Sequence, residues 1–324
     1  MSAYKGIGQL KLGGRLLRLA VAAAAIVNFA SASPASSGAV GAAWDGRSAY
    51  ERMAHPTPGD ILVIAHRACW KETAENSIAA VQACIAMGVD GVEFDVRHTH
   101  DGVAVVMHDE TVDRMTEGHG RVSDLTLAQF KALRLRSGAG GEGAPPTDMH
   151  PPTLAEYLAA ARGRLWIVFD VKDGTQEQTF AEAKAAGVAQ QSIFFYECAS
   201  GLLRDKVNSF WTEAVIFPIV FSRDGPLASV AERCPSHPAN LIHAKWSTPD
   251  YLQAANAAMA GRRERLWIAT MFPDDTAGKN DTEALADPAA TWGADIVAGA
   301  NMIMTNQPGA LQRFLKSIDN ARIK

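Results

Sequence analysis

The sequence has no excess of basic charge. Its 31 Lys and Arg face 35 Asp and Glu in 324 residues, a net charge of −4, which excludes the broad cationic footprint of a nucleic-acid binder. Cysteine is scarce. Four residues are too few for a disulfide scaffold, and none of their spacings is a zinc signature. With 27 Gly and 15 Pro, collagen-like and proline-rich architectures are excluded. No apolar run reaches the roughly 20 residues of a membrane span. The 48% hydrophobic and 20% charged residues exclude wholesale disorder. The length suggests two average domains, but α/β barrels of about 250 residues stand as one.

The first residues read as a signal peptide. Lys5, Lys11, Arg15 and Arg18 form a cationic start, Leu19 to Phe29 an apolar segment, and Ala30-Ser31-Ala32 an A-x-A cleavage site. An ordinary amphipathic N-terminal helix is the competing reading. Removing residues 1–32 takes away four cations and no acids, so −4 becomes −8. The expected product is exported, periplasmic or secreted, with no stable membrane anchor. Export permits disulfides among Cys69, Cys84, Cys198 and Cys234, and all three pairings stay open. Residues 33–58, rich in Ser, Ala, Gly and Pro, read as a leader with one short helix near 44–53. The remainder, 59–324, reads as one domain without internal repeats.

Short apolar runs alternate with alanine-rich helical stretches. Strands are predicted at 61–66, 91–97, 103–108, 165–171, 192–196, 214–221, 241–245, 266–271 and 302–305, and helices at 75–87, 153–162, 178–187, 249–260 and 308–316. This alternation implies a parallel sheet with helical crossovers, and the number of units favours a closed (β/α)8 TIM barrel. Nine segments are one too many. His100-Asp101-Gly102 signals a hairpin, so one segment outside the barrel would reconcile the count.

Ionisable residues gather at the C-terminal ends of the strand segments, the end that carries the active site in α/β barrels. Alternation puts Glu93 and Asp95 on one face of their strand and Val92, Phe94 and Val96 on the other. Two inward carboxylates repel unless a cation lies between them or one is protonated. With Asp170 they form an oxygen-donor set for Mg²⁺ or Ca²⁺. The alternative is a salt-bridge network with Arg67, Arg97 or Lys172. His66 and His108 each end a strand and suit an acid/base pair; rim hydrogen bonds to carbonyls are the bland alternative. Arg67 and Lys172 offer cations for a phosphate. Asn76 either caps the following helix, the default reading, or reaches into the site. His98, His119, His237 and His243 join no constellation and are left as surface or structural, and Trp246 as rim packing. Together these groups suit phosphodiester cleavage.

At these residues the chain resembles the glycerophosphodiester phosphodiesterase family. The matching motifs are His66-Arg67-Ala68 with Ala74-Glu75-Asn76-Ser77, Glu93-Phe94-Asp95-Val96 with Thr99-His100-Asp101-Gly102, and Val105 to Asp109 with Asp113-Arg114 and Thr116. Pro152-Thr153-Leu154-Ala155-Glu156, Asp170-Val171-Lys172 and Thr305-Asn306-Gln307-Pro308 follow. The resemblance covers about 60–316 and is strongest in its first third. It implies a (β/α)8 barrel and Ca²⁺ or Mg²⁺ on Glu93, Asp95 and Asp170. It further implies His66 and His108 as acid/base pair, with Arg67 and Lys172 near the phosphate. Attack by the glycerol's own 2-hydroxyl would give a cyclic phosphate, then glycerol 3-phosphate and an alcohol. Three departures stand out: Ala68 for Gly, Asp170 for Glu and Asn306 for Asp.

The expectation is an exported, metal-dependent phosphodiesterase acting on small glycerophosphodiesters from lipid debris. Two rivals remain. One is a related barrel enzyme that cleaves a phospholipid or lysophospholipid headgroup and stops at a cyclic phosphate. The other is a catalytically silent barrel that binds a phosphorylated ligand.

Overall fold

A computed structural model of the protein describes residues 46–322 except 58, 239–240, 249 and 259–264. The expected signal peptide and the leader up to residue 45 lie outside the described residues. The strands are β1 (Leu62–Ala65), β2 (Gly91–His98), β3 (Ala104–Val106), β4 (Trp166–Val171), β5 (Ser192–Glu197), β6 (Val215–Phe221), β7 (Leu241–Lys245), β8 (Arg265–Ala269) and β9 (Met302–Thr305). Eight of them form a parallel barrel in the order β1-β9-β8-β7-β6-β5-β4-β2, closed by the pairing of β2 with β1.

The ninth segment is β3. Among the strands it pairs only with β2, antiparallel, Val96 opposite Val106 and Arg97 opposite Val105. The turn needs Gly102 at φ 77°, and the N–H of Gly102 donates to Thr99 O at 2.9 Å. β3 is therefore the hairpin arm signalled by His100-Asp101-Gly102, and it stands outside the barrel. The long connection from β2 to β4 has a small core of its own, built on Val105, Met107, Val112, Phe130 and Leu135. It ends in a capping box. Glu156 N donates to Thr153 Oγ1, and Thr153 N donates to Glu156 Oε2, which starts the helix Leu154–Ala161. The Pro152–Glu156 motif is thus a helix start, not part of the site.

Both faces of the barrel strands are buried, so they read as continuous apolar runs. Val92, Phe94 and Val96 pack outward in the layer shared with the helices. Ile64, Trp166, Val168, Phe217, Trp267 and Met302 belong to the inner core. The base is closed by the helix Gly46–Ala54, whose Met53 is fully buried in that inner core. Beside it, the buried Arg265 guanidinium donates to Asp60 Oδ2 at 3.0 Å and to the carbonyls of Arg52, Asp60 and Asn301. Residues 46–57, read from composition as part of a leader, therefore belong to the packed domain. Among the described residues no helix is long and apolar enough to cross a membrane.

The cysteines pair as Cys69–Cys84 and Cys198–Cys234, 15 and 36 residues apart in sequence. The first ties the loop after β1 to the helix Ile78–Met87. By chain entropy it contributes about 3 kcal/mol, and the longer loop somewhat more. We predict no titratable thiol in the unreduced protein. Dithiothreitol should lower its thermal midpoint by several degrees; an unchanged midpoint would contradict the pairing.

Candidate active site

The site lies at the C-terminal rim of β1, β2, β4 and β9. Asp95 and Asp170 are opposite each other across the β2–β4 pairing, and Glu93 sits two residues below Asp95. Ligand oxygens of the three lie within 4.8 Å of one another. Glu93 and Asp95 are buried, whereas the Asp170 side chain is a third exposed. Burial and the charges of Asp95 and Asp170 push the Glu93 pKa well above the ordinary carboxylate range. Burial opposes ionisation of Asp95 too, but Lys172, His108, Arg67 and the Asn76 amide outweigh it and hold that carboxyl below its usual value.

The cations weighed as network partners divide. Lys172 Nζ bridges Asp95 Oδ1 at 3.0 Å and Asp170 Oδ2 at 2.6 Å. Arg67 donates from NH1 to both oxygens of the buried Glu75, at 3.1 and 3.3 Å, and its Nε lies 3.7 Å from Asp95. Arg97 turns away and donates to the carbonyl of His108. Glu75 also accepts from Arg114 NH2. Five carboxylates, those of Glu75, Glu93, Asp95, Asp109 and Asp170, thus face three cations, Lys172, Arg67 and Arg114. A hard divalent ion on the Glu93, Asp95 and Asp170 oxygens fits this donor set, and it would take the place of the proton that burial favours on Glu93.

The two histidines flank the acids in different surroundings. His66 follows β1, and its N–H donates to Thr305 O at 3.1 Å. Its Nδ1 donates to Asn306 Oδ1 at 2.8 Å, leaving Nε2 3.8 Å from Glu93 Oε2. Asn306 is fixed in turn by the buried Asp281. That carboxylate accepts from Asn306 N and from the hydroxyls of Thr270 and Thr305. Burial, and then Arg67, lower the His66 pKa to about 4. His108 Nδ1 donates to Asp109 Oδ1 at 2.5 Å. Asp109 is only part-buried, and Arg114 Nε holds it at 2.7 Å. That clamp overcomes its desolvation and keeps the carboxyl far below its usual range. In both rings Nδ1 is committed and Nε2 is left for chemistry.

Several of these contacts were not expected. Ser77, not Asn76, caps the helix Ile78–Met87. Asn76 adopts φ 59° and its Nδ2 donates to Asp95 Oδ2 at 2.8 Å. Ala68, where the family motif has Gly, sits at φ 62°. That conformation costs a non-glycine residue about 1–2 kcal/mol; burying the Ala68 methyl returns about 0.8 kcal/mol. His243, left aside as surface or structural, is buried and lines the same cavity of ≈ 220 Å³ as His66, Glu93, His108, Asp170 and Lys172. The signal was there: alternation along Leu241 to Lys245 puts residues 241, 243 and 245 on one face.

The neutral Asn306 amide suggests a direct check. Asn306→Asp places a carboxylate against His66 Nδ1 and should raise the ring's pKa from about 4. Following the His66 ring by NMR across pH 3–8 checks this; an unmoved midpoint would contradict the assigned hydrogen bond.

Comparison with known proteins supports the same reading. A family model described as the glycerophosphoryl diester phosphodiesterase family matches residues 66–193. A second, described as a domain of unknown function, matches residues 223–315. Human glycerophosphodiester phosphodiesterase 1 is 40% identical over 125 residues, 38% of each chain. Glycerophosphodiester phosphodiesterase of Caldanaerobacter subterraneus subsp. tengcongensis is 54% identical over 72 residues, 22% of this chain and 30% of its own. The chain thus spans 38% and 30% of the length of these two relatives. Among solved structures, a glycerophosphoryl diester phosphodiesterase from Parabacteroides distasonis superimposes with a TM-score of 0.65 at 19% identity, covering 85% of this chain and 93% of that one. A phosphodiesterase from Oleispira antarctica, in complex with the product sn-glycerol-3-phosphate, superimposes with a TM-score of 0.56 at 21% identity, covering 84% and 99%. These two share the fold. The segment that matches the glycerophosphoryl diester phosphodiesterase family model, residues 66–193, is the one that carries His66, Glu93, Asp95, His108 and Asp170.

Proposed function

We propose that the protein is an exported, metal-dependent phosphodiesterase that hydrolyses glycerophosphodiesters to glycerol 3-phosphate and an alcohol. The observation that carries this is the cluster of Glu93, Asp95 and Asp170 beside a cavity that His66, His108, Arg67 and Lys172 line together with Glu93 and Asp170. A divalent ion, Ca²⁺ or Mg²⁺, held by Glu93, Asp95 and Asp170 would supply positive charge to the phosphoryl oxygens as charge develops there. Lys172 and Arg67 orient the phosphate from the same rim. His66 is the base: its ring is neutral, and Asn306 fixes the tautomer whose Nε2 can accept a proton. It takes the proton of the substrate's 2-hydroxyl as that oxygen bonds to phosphorus. His108, oriented by Asp109, donates from Nε2 to the oxygen of the departing alcohol as its P–O bond breaks. In the second half His108 takes a proton from water, the water oxygen bonds to phosphorus, and the ring P–O2 bond opens. His66 returns its proton to O2.

Export is supported by the N-terminal pattern and by two disulfides, which persist in oxidising compartments. The substrate class is tested by glycerol 3-phosphate release from glycerophosphocholine, glycerophosphoethanolamine and glycerophosphoglycerol, beside a lysophospholipid. Release from the water-soluble diesters is expected. Turnover of the lysophospholipid alone, ending at a cyclic phosphate, would replace this reading with the headgroup-cleaving one. Binding without turnover would replace it with the silent barrel.

A further inference from the structure

Across the bore from the acids lies a polar pair that the proposed reaction does not use. β7 is four strands from β2 in either direction around the barrel, so His243 faces the strand that carries Glu93 and Asp95. His243 and Trp267 are neighbours in register on β7 and β8, and their rings stack at 4.4 Å with 10° between planes. They are 4% and 1% exposed. Neither nitrogen of the His243 ring, nor Trp267 Nε1, has a hydrogen-bond partner among the described residues. Both residues line the cavity that holds His66, Glu93 and Asp170, and the adjoining wall is apolar, with Val168, Phe195 and Ile219.

We infer that His243, with Trp267 beside it, is the hydrogen-bonding floor that receives the outer hydroxyl of the polyol half of the substrate. This rests on the diesterase reading of the site. Buried polar groups are nearly always satisfied, and the chemistry of these two selects what satisfies them. Burial, and then Lys245, keep the His243 ring neutral. A neutral imidazole offers one donor and one acceptor, and indole adds a donor. A hydroxyl both gives and takes a hydrogen bond and matches that set. A cationic headgroup does not, because nothing on this floor is anionic and the apolar wall strips its water. The mouth differs. There Lys245 pairs with Asp275 at 3.0 Å and Phe272 is exposed, a rim suited to a polar leaving alcohol. The glycerol half therefore enters the bore, with its 2-hydroxyl beside His66 and its outer hydroxyl on His243. The leaving group stays outside.

The test compares glycerophosphocholine with 2-hydroxypropyl phosphocholine. The analogue keeps the attacking hydroxyl and lacks only the outer one. Wild type should prefer the glycerol diester by about 10- to 100-fold in kcat/KM, the scale of a lost hydrogen bond to a buried polar group. His243→Phe keeps the stack on Trp267 and should lose that factor on glycerophosphocholine while leaving the analogue nearly unchanged. The preference would then collapse. His243→Asn, which retains a donor and an acceptor, should restore part of it. The ratio of the two substrates does not depend on the fraction of protein folded, so partial misfolding does not imitate the result. Should His243→Phe be inactive on both, the Asn variant decides by the same ratio. A full preference that survives in an active His243→Phe variant, or an equal partial loss on both substrates in either variant, would overturn the inference while the diesterase reading stands. Turnover of neither substrate by wild type would overturn the diesterase reading and this assignment with it.

Discussion

His66→Ala and His108→Ala should each lower turnover by about 10²- to 10⁴-fold and leave metal affinity almost intact. The two halves of that expectation come from different contacts. Each ring commits Nδ1 to a neighbour, Asn306 for His66 and Asp109 for His108. In the proposed mechanism the free Nε2 moves the proton, so each ring's loss should remove that transfer. His66 Nε2 stands 3.8 Å from Glu93, too far to share a hydrogen bond with it. The acids hold their positions without either ring: Glu93 accepts from Arg67 N at 3.0 Å, and Asp95 is held by Asn76 and Lys172. Calorimetric titration with Ca²⁺ beside steady-state rates separates the two roles. Metal binding lost in proportion to turnover would make the histidines ligands rather than acid/base groups.

Glu93→Gln should abolish metal binding and activity at almost no cost to the metal-free fold. Burial, with Asp95 and Asp170, raises the Glu93 pKa well above the usual range. The folded state thus keeps a proton that the unfolded chain releases. Stability of the metal-free protein therefore falls as pH rises from the ordinary carboxylate value toward the raised one. Gln imitates the protonated form, accepts the same hydrogen bond from Arg67 N and has no such slope. Metal-free Gln variant should match wild type near pH 4 and exceed it at neutral pH. With saturating metal the order reverses. A ligand at about 1,000 times its Kd stabilises wild type by about 4 kcal/mol, and the variant gains nothing. Thermal unfolding with and without Ca²⁺ or Mg²⁺ reads all of this. An equal metal-induced shift in both proteins would remove Glu93 from the ligand set.

What could be read in the sequence was local. Apolar runs ending in ionisable residues gave the barrel strands and their functional ends, because strands buried on both faces are apolar throughout and their termini alone meet water. The spacing of Glu93 and Asp95 gave a shared face, and the register with β4 then brought Asp170 level with Asp95. The hairpin signal at 100–102 explained the surplus segment once β3 proved antiparallel. What was missed is non-local. Glu75 meets Arg114 across 39 positions, and His66 meets Asn306 across 240. No periodicity reports such pairs. Asn306 read as the loss of an acid, yet in the fold its neutral amide sets the tautomer of His66, and the acid behind it is Asp281. Asn76 was given to the helix cap because Asn is a good cap, although Ser77 is as good and one residue nearer. His243 has no sequence neighbours that mark it; in the fold it stacks on Trp267 and lines the cavity that Glu93 also lines.

Phosphodiester cleavage at this rim is proposed to depend on a cation held by Glu93, Asp95 and Asp170. The most direct measurement follows glycerophosphocholine by ³¹P NMR with protein stripped by EDTA, then again after Ca²⁺ or Mg²⁺ is restored. The stripped sample should show no conversion, and glycerol 3-phosphate should form once the ion returns. Undiminished conversion in the stripped protein would contradict that dependence.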